Sequence, residues 1–261
     1  MPFFSIITVC FNSERTIERT LKSVLEQTFA DYEYIIVDGG SKDGTLDIIK
    51  RYELLFEGRM RWISESDNGI YDAMNKGVKC SAGTYVWIVN SDDYIEQNSL
   101  SVLWNFISNH NSGNSFPVIC GASRYFDEES GKILYIGRRD EKSCRRIYAL
   151  DKTCVIHPAT LVPKDVYERY GYYDDRYKII GDCDWARRVY KAGVPILFMD
   201  HVITNMSNGG ISGTFSWSRF KVNHADRRLY FKKFYPNLFV RYARFLLWDL
   251  YFVRRVIKAW F

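Results

Sequence analysis

Acidic residues in this sequence stand directly behind short apolar runs, where a strand stops and a ligand can sit. Tyr34-Ile-Ile-Val37 runs into Asp38-Gly-Gly-Ser-Lys-Asp-Gly44, Met60-Arg-Trp-Ile63 into Ser64-Glu-Ser-Asp67, and Thr84-Tyr-Val-Trp-Ile-Val89 into Asn90-Ser-Asp92-Asp93. Carboxylates collected at one edge of a sheet repel each other unless a cation or a donor-rich ligand joins them. Asp92 and Asp93 can divide such work, one accepting from a ribose hydroxyl and the other ligating a hard divalent ion shared with a diphosphate. The plain alternative is a solvated turn, for which Asn-Ser-Asp-Asp is ordinary composition. Asp38 can accept from a nucleobase N–H or a ribose hydroxyl, or simply cap its turn. No GxGxxG spacing follows the first strand, which argues against a dinucleotide-binding fold.

Three further positions carry candidate chemistry. Asp67-Asn-Gly-Ile-Tyr-Asp-Ala-Met-Asn75-Lys76-Gly77 joins a turn to a helix, and Asn75 and Lys76 are suited to reach a diphosphate or to orient the acids. Gly181-Asp182-Cys-Asp184-Trp185 opens a helix, where an anionic Asp is favoured by the helix dipole. In a functional reading Asp182 is a general base for an acceptor hydroxyl. His157 follows an apolar pair and is either a satisfied structural residue or a ligand for diphosphate or metal.

The elements that must position these residues alternate over the first ~120 positions. Phe3-Phe-Ser-Ile-Ile-Thr-Val predicts a strand, and Asn12 or Ser13 an N-cap for a helix carrying Ile17, Leu21, Val24 and Leu25. Helices are also predicted from about Thr45 and over Ile70 to Cys80. Strand–helix–strand repetition with short links implies parallel strands and right-handed crossovers, with ligands at the strands' carboxyl ends. The second half is less regular: Asp182 to Ala192 reads as a helix, Pro195 to Met199 as a strand, and Asn205 to Thr214 as a Gly-rich loop.

The 261 residues and 47 % hydrophobic content suit one large α/β domain, or one with an appendage, and exclude a disordered chain. The six cysteines match no zinc framework and read as reduced thiols, and the amino terminus has no signal-peptide pattern. Net charge is +5, unevenly placed. From Phe215 to Phe261 eleven Lys and Arg face two acids, a local +9, which leaves −4 for the first 214 residues. An acidic body with a basic aromatic tail suggests that the tail meets an anionic partner.

In their order these motifs resemble the large family of inverting glycosyltransferases with the GT-A fold, family 2. Ser5-Ile-Ile-Thr8-Val-Cys-Phe-Asn12 is similar to its first strand and loop. Ile36-Val-Asp38-Gly-Gly-Ser-Lys-Asp43-Gly-Thr is similar to its second motif and Glu65-Ser-Asp67 through Gly77 to its third. Asn90-Ser-Asp92-Asp93 resembles its DxD-type metal motif, and Gly181-Asp182-Cys-Asp184-Trp stands where its Glu-Asp catalytic motif falls. Two departures stand out: Asn90 opens the metal motif, and Gly181 replaces the usual Glu.

The resemblance covers about residues 1–214. It implies an α/β fold with a Rossmann-like, mostly parallel central sheet flanked by helices, followed by a helical extension. Residues 1–120 would bind the nucleotide sugar, 121–214 the acceptor, and 215–261 would form the extension. The implied reaction is one in-line displacement from a nucleoside diphosphate sugar, by default a UDP-sugar. Mn2+ or Mg2+ would be held by Asp93 with Asp92. Asp38 and Asp92 would position base and ribose with Thr8 and Asn12 nearby, and Asp67, Asn75, Lys76 and His157 would complete the donor site. The base is Asp182 or Asp184, with Asp182 preferred. The subtype is similar to bacterial enzymes that build capsule, O-antigen or exopolysaccharide units on a polyprenyl diphosphate or saccharide acceptor. The alternatives are a sugar nucleotidyltransferase, for which no basic phosphate loop is present, and an inactive sugar-binding or scaffolding module.

Projected at about 100° per residue, Arg241, Arg244, Arg254, Arg255 and Lys258 fall in one arc. Phe245, Leu246, Leu250, Val253, Val256, Ile257 and Trp260 fall mostly opposite. The segment is too charged to span a bilayer and suits a helix lying in its interface. The alternative is a helix packed on protein. The expected location is the cytoplasm, peripheral on the inner face of the cell membrane, and no nucleic-acid partner is expected because the catalytic half is acidic.

Overall fold

The structure is a computed structural model that describes residues 1–110, 116–208 and 217–260, with side chains described to residue 250. The chain divides into two compact units, 1–175 with 181–214, and 176–180 with 215–261.

In the first unit the early strands are β1 (Phe4–Cys10), β2 (Tyr32–Asp38), β3 (Met60–Ser64), β4 (Tyr85–Ile88) and β5 (Tyr94–Ile95). The helices between them are α1 (Ile17–Leu25), α2 (Thr45–Glu53) and α3 (Ile70–Cys80). Then follow α4 (Ser99–His110), β6 (Val118–Phe126), β7 (Ile133–Gly137), α5 (Glu141–Ala149), β8 (Thr160–Pro163), α6 (Lys164–Tyr170), α7 (Gly181–Lys191) and β9 (Ile196–Ser207). The sheet runs β3-β2-β1-β4-β8-β6-β9-β5, with β7 on β6. β3, β2, β1 and β4 are parallel, as their crossover helices require. β8 then pairs antiparallel with β4 and β6, so the parallel order is confined to the amino-terminal half, apart from β6 beside β9.

The parallel strands are covered on both faces. β1 and β2 are buried throughout, and Ile6, Ile7, Tyr34, Ile35, Ile36 and Trp87 lie at the centre of the core. Parallel registration sets the carboxyl ends side by side, Cys10 opposite Asp38 and Asp38 opposite Ser64, while the Val89 N–H donates to Ile7.

Two local expectations are corrected. Asn12 and Ser13 do not cap α1: Asn12 takes a left-handed φ of 50°, and the helix starts at Ile17 over the Ser13 carbonyl, which accepts from Thr16 and Ile17. β9 continues to Ser207, so Asn205 to Ser207 are strand rather than loop, and 209–214 lie outside the described residues.

The second unit contains α8 (Trp217–Phe234) and α9 (Leu238–Trp260). Asp226 of α8 accepts the backbone N–H groups of Lys178, Ile179 and Ile180. The described apolar side chains of α9 divide between packed and exposed positions. Phe245 packs against Phe231 and His224, and Trp248 against Phe220, while Leu246, Leu247 and Leu250 stay exposed. Arg241 is spent on the carbonyls of Tyr235 and Pro236, and Arg244 lies over the Tyr235 ring. The side chains of Val253, Arg254, Arg255, Val256, Ile257, Lys258 and Trp260 lie outside the described residues. Among the described residues no helix is long and apolar enough to cross a membrane.

Candidate active site

The carboxyl ends of β1 to β4 are bound into one platform by side chains acting on neighbouring loops. Asp38 is fully buried and accepts from the Gly40 and Ser41 N–H groups and from the hydroxyls of Ser41 and Ser64. Its carboxylate oxygens are engaged inside the protein, where they organise the loop after β2. Thr8 is likewise buried, its hydroxyl accepting from the Tyr34 hydroxyl. Asn12 accepts from the Lys42 N–H and donates its own backbone N–H to Ser41, tying the first loop to the second. Burial pushes the Cys10 thiol up, and the carboxylates of Asp38, Asp43 and Asp67 push the same way. Both effects disfavour the thiolate, the nucleophilic form.

Asp67 accepts from the Gly69 N–H, and its other oxygen lies where a side chain at position 39 would begin. A Cβ on Gly39 would stand 2.5 Å from Asp67 Oδ2 and 3.3 Å from the ring of Phe11, itself 61 % exposed. Asn75 is buried, and its amide donates to the Tyr173 carbonyl and accepts from the Tyr173 N–H. It ties α3 to the segment before α7. The Lys76 ammonium reaches Glu65 at 2.8 Å and the Ser66 carbonyl at 3.1 Å, with Asp72 at 3.6 Å; the Glu65 contact leads in holding its pKa up.

The two acids of the metal motif face different surroundings. Asp93 is 2 % exposed, accepts from the Ser207 N–H and lies 3.4 Å from the Asn90 amide. Burial raises its pKa well above the usual carboxylate range, and Asp92 adds to this. Asp92 is half-buried and its carboxylate carries no hydrogen bond to another described residue. Burial raises it too, with Glu128 adding and Arg19 opposing. Asp93 is therefore engaged inside the protein by Ser207, while the Asp92 carboxylate is not engaged by another described residue.

Asp182, in the first turn of α7, is held by the Tyr71 hydroxyl at 3.3 Å and the Thr153 hydroxyl at 3.2 Å. With His157, Thr160, Tyr173, Trp185 and Ile88 it lines a small cavity. The His157 Nε2 lies 3.0 Å from the Tyr173 hydroxyl. Burial lowers the His157 pKa while Asp182 opposes it, so the neutral imidazole is favoured. Asp184 is fully buried and bonded to Arg188. Tyr71, Thr153 and Tyr173 went unnoticed as site residues. Only Tyr71 had a signal, since it lies within the motif that begins at Asp67.

The geometry is that of the GT-A class of nucleotide-sugar transferases. The chain belongs to glycosyl transferase family 2, whose sequence model matches residues 5–171, and it is a glycosyltransferase. It is 29 % identical over 218 residues to a PGL/p-HBAD biosynthesis glycosyltransferase of Mycobacterium tuberculosis, covering 82 % of this chain and 80 % of that protein. It is 28 % identical over 175 residues to poly(ribitol-phosphate) beta-N-acetylglucosaminyltransferase TarS of Staphylococcus aureus, covering 64 % and 30 %. The TarS crystal structure in complex with UDP-GlcNAc superposes with a TM-score of 0.66 at 21 % identity, over 86 % of this chain and 65 % of that one. A Pyrobaculum calidifontis mannosyltransferase in complex with GDP-Man and Mn2+ gives 0.60 at 16 % identity, over 87 % and 60 %. Both likenesses show the fold.

Proposed function

We propose that this glycosyltransferase moves a sugar from a UDP-sugar, with inversion, onto a lipid-linked or saccharide acceptor in surface polysaccharide synthesis. The observation that carries the reading is the placement of Asp182, aimed by Tyr71 and Thr153 into a site backed by a neutral His157. A carboxylate so held takes the proton of an acceptor hydroxyl as that oxygen attacks the sugar's anomeric carbon. Asp184 is committed to Arg188 and acts as a brace for α7. On the donor side, Asp67 and the exposed ring of Phe11 flank the gap at Gly39 and receive the nucleobase. Asp38, Asn12 and Asn75 act by fixing the loops.

The donor set fits a divalent cation. Asp92 and Asp93 are raised by burial, and neither has a cationic side chain within ion-pair distance among the described residues. No group of three His, Cys, Asp or Glu side chains converges there among those residues. Mn2+ or Mg2+ would therefore rest on Asp92 and on donor oxygens, the habit of an ion that binds through one or two carboxylates and substrate phosphates. When bound it neutralises charge on the departing diphosphate. A neighbour of the same fold that holds GDP-Man and Mn2+ supports metal use in general, not the choice of residue.

The exposed residues of α9 support membrane contact. Asp182→Asn tests the reading: kcat should fall by about two to four orders of magnitude with UDP affinity unchanged. Asp184→Asn should instead act on stability. Full turnover in Asp182→Asn would overturn the assignment.

A further inference from the structure

The β6–β7 hairpin leaves apolar surface in water that the transfer reaction does not use. Ile133 is 56 % exposed, Leu134 44 %, Tyr135 55 % and Ile136 38 %. Side chains alternate along a strand, so Ile133 and Tyr135 emerge on one face and Leu134 and Ile136 on the other. Both faces are therefore bare. Tyr135 stacks on Tyr125 at 4.4 Å, which fixes its ring without covering it, and β7 pairs with β6 alone among the described strands.

The sequence that follows is cationic: Arg138, Arg139, Lys142, Arg145 and Arg146 within nine residues. The acids among them are engaged locally. Asp140 caps α5 by accepting from the Ser143 N–H, and Glu141 pairs with Arg145. Arg138 pairs with Asp200, while Lys132, Lys142 and Arg146 make no ion pair among the described residues. Leu150, just past the end of α5, is 59 % exposed. At the turn end, Asp127 closes on Ser130 and Glu128 on Arg19, leaving Glu129 free.

We propose that β7 and α5 form a membrane-contact surface on the catalytic unit itself, with the strand in the lipid interface and the cations of α5 on anionic headgroups. A second copy pairing along the free edge of β7 would satisfy its backbone but leave both apolar faces wet. A bilayer interface covers both faces at once, and the cationic end complements its charge. A Cβ on Gly137, at the end of β7, would stand 3.5 Å from the side chain of Ile156, the neighbour of His157 in sequence. The proposal rests on the lipid-borne acceptor for its purpose but not for its geometry.

The test uses the full chain with vesicles of phosphatidylglycerol and phosphatidylcholine, and with phosphatidylcholine alone, read by amide hydrogen exchange and flotation. Protection over residues 133–150 is expected on the anionic vesicles. Ile133→Ser with Leu134→Ser should lower vesicle affinity at least about tenfold, with melting temperature and turnover of a soluble acceptor unchanged. Lys142→Glu with Arg146→Glu should erase the preference for phosphatidylglycerol. Protection confined to α9, with the serine variant bound as tightly as the parent, would overturn this surface and leave the α9 contact standing. Protection of β7 that grows with protein concentration in the absence of vesicles would assign the strand to a second copy and also overturn it. Loss of soluble turnover in Asp182→Asn is a separate readout, so failure of the catalytic reading is distinguishable.

Discussion

The ring of Tyr71 fills the space that any side chain at position 181 would enter: a Cβ on Gly181 would stand 2.8 Å from it. The same tyrosine donates its hydroxyl to Asp182. The glycine that breaks the family's Glu-Asp pattern is thereby explained, since a residue of α3 occupies that volume and reaches the neighbouring carboxylate. Tyr71 is 5 % exposed and lies 5.7 Å from the Tyr173 ring, so it has little room to yield.

Gly181→Ala should therefore cost about 1 to 3 kcal/mol of stability, the usual range for overpacking, and should lower kcat by displacing Asp182. Tyr71→Ala opens the same space, so the two changes should not add. A double-mutant cycle read by denaturant unfolding is expected to show coupling of at least about 0.5 kcal/mol. Strict additivity would mean that the two residues do not compete for the volume.

Asp92 and Asp93 can be separated by the same isosteric change. Asp93→Asn keeps an oxygen for the Ser207 N–H and replaces a buried acid whose charged form burial disfavours, so the fold and metal-dependent turnover should survive. Asp92→Asn removes the carboxylate that no other described residue uses. It should abolish Mn2+-dependent transfer and the rise in melting temperature that Mn2+ with UDP gives the parent. The reverse pattern would return the metal to Asp93.

How far the sequence reached depends on the range of the interactions. β1 to β4 and α3 were legible because their signals are local: apolar runs, turn residues and helical spacing, each closing within a few positions. The acids at the strand ends were visible for the same reason. Their orientation was not. Asp93 is fixed by Ser207, 114 residues away, and Asn75 by Tyr173, 98 residues away, and neither partner announces itself. The antiparallel half was hidden in the same way, because β8 is placed by pairing with β4 and β6 rather than by a repeating unit.

His157 gives a pH dependence whose sign is fixed by the direction of its shift. Burial holds its pKa below the ordinary imidazole value, with Asp182 opposing. Below about pH 6.5 the unfolded chain takes up the proton more readily than the folded one. The stability this residue contributes is complete above that value and is lost as pH falls toward the folded pKa. His157→Gln keeps a polar atom for Tyr173 but cannot titrate. Melting temperatures between about pH 7 and pH 5 should fall less steeply in the variant, and equal slopes would show that His157 is not held neutral.

Removing α9 whole is a poor probe, because Phe245 and Trp248 cover Phe231, His224 and Phe220 of α8, and truncation would bare that face. Leu246, Leu247 and Leu250 are 46 %, 62 % and 63 % exposed and can be changed without touching the packed side. Replacing all three with serine should leave the melting temperature within about 2 °C, as for surface changes of a few tenths of a kcal/mol. Flotation with anionic vesicles should fall, because each leucine withdrawn from lipid forfeits about 1.5 to 3 kcal/mol of burial. Raising ionic strength should weaken binding of the parent only in part, since salt screens its cations but not its apolar contacts. Arg241 and Arg244 are engaged with the end of α8, so reversing their charge should disturb that packing before it disturbs lipid binding. Unchanged flotation of the triple variant, with its fold intact, would assign the exposed leucines to a protein partner instead.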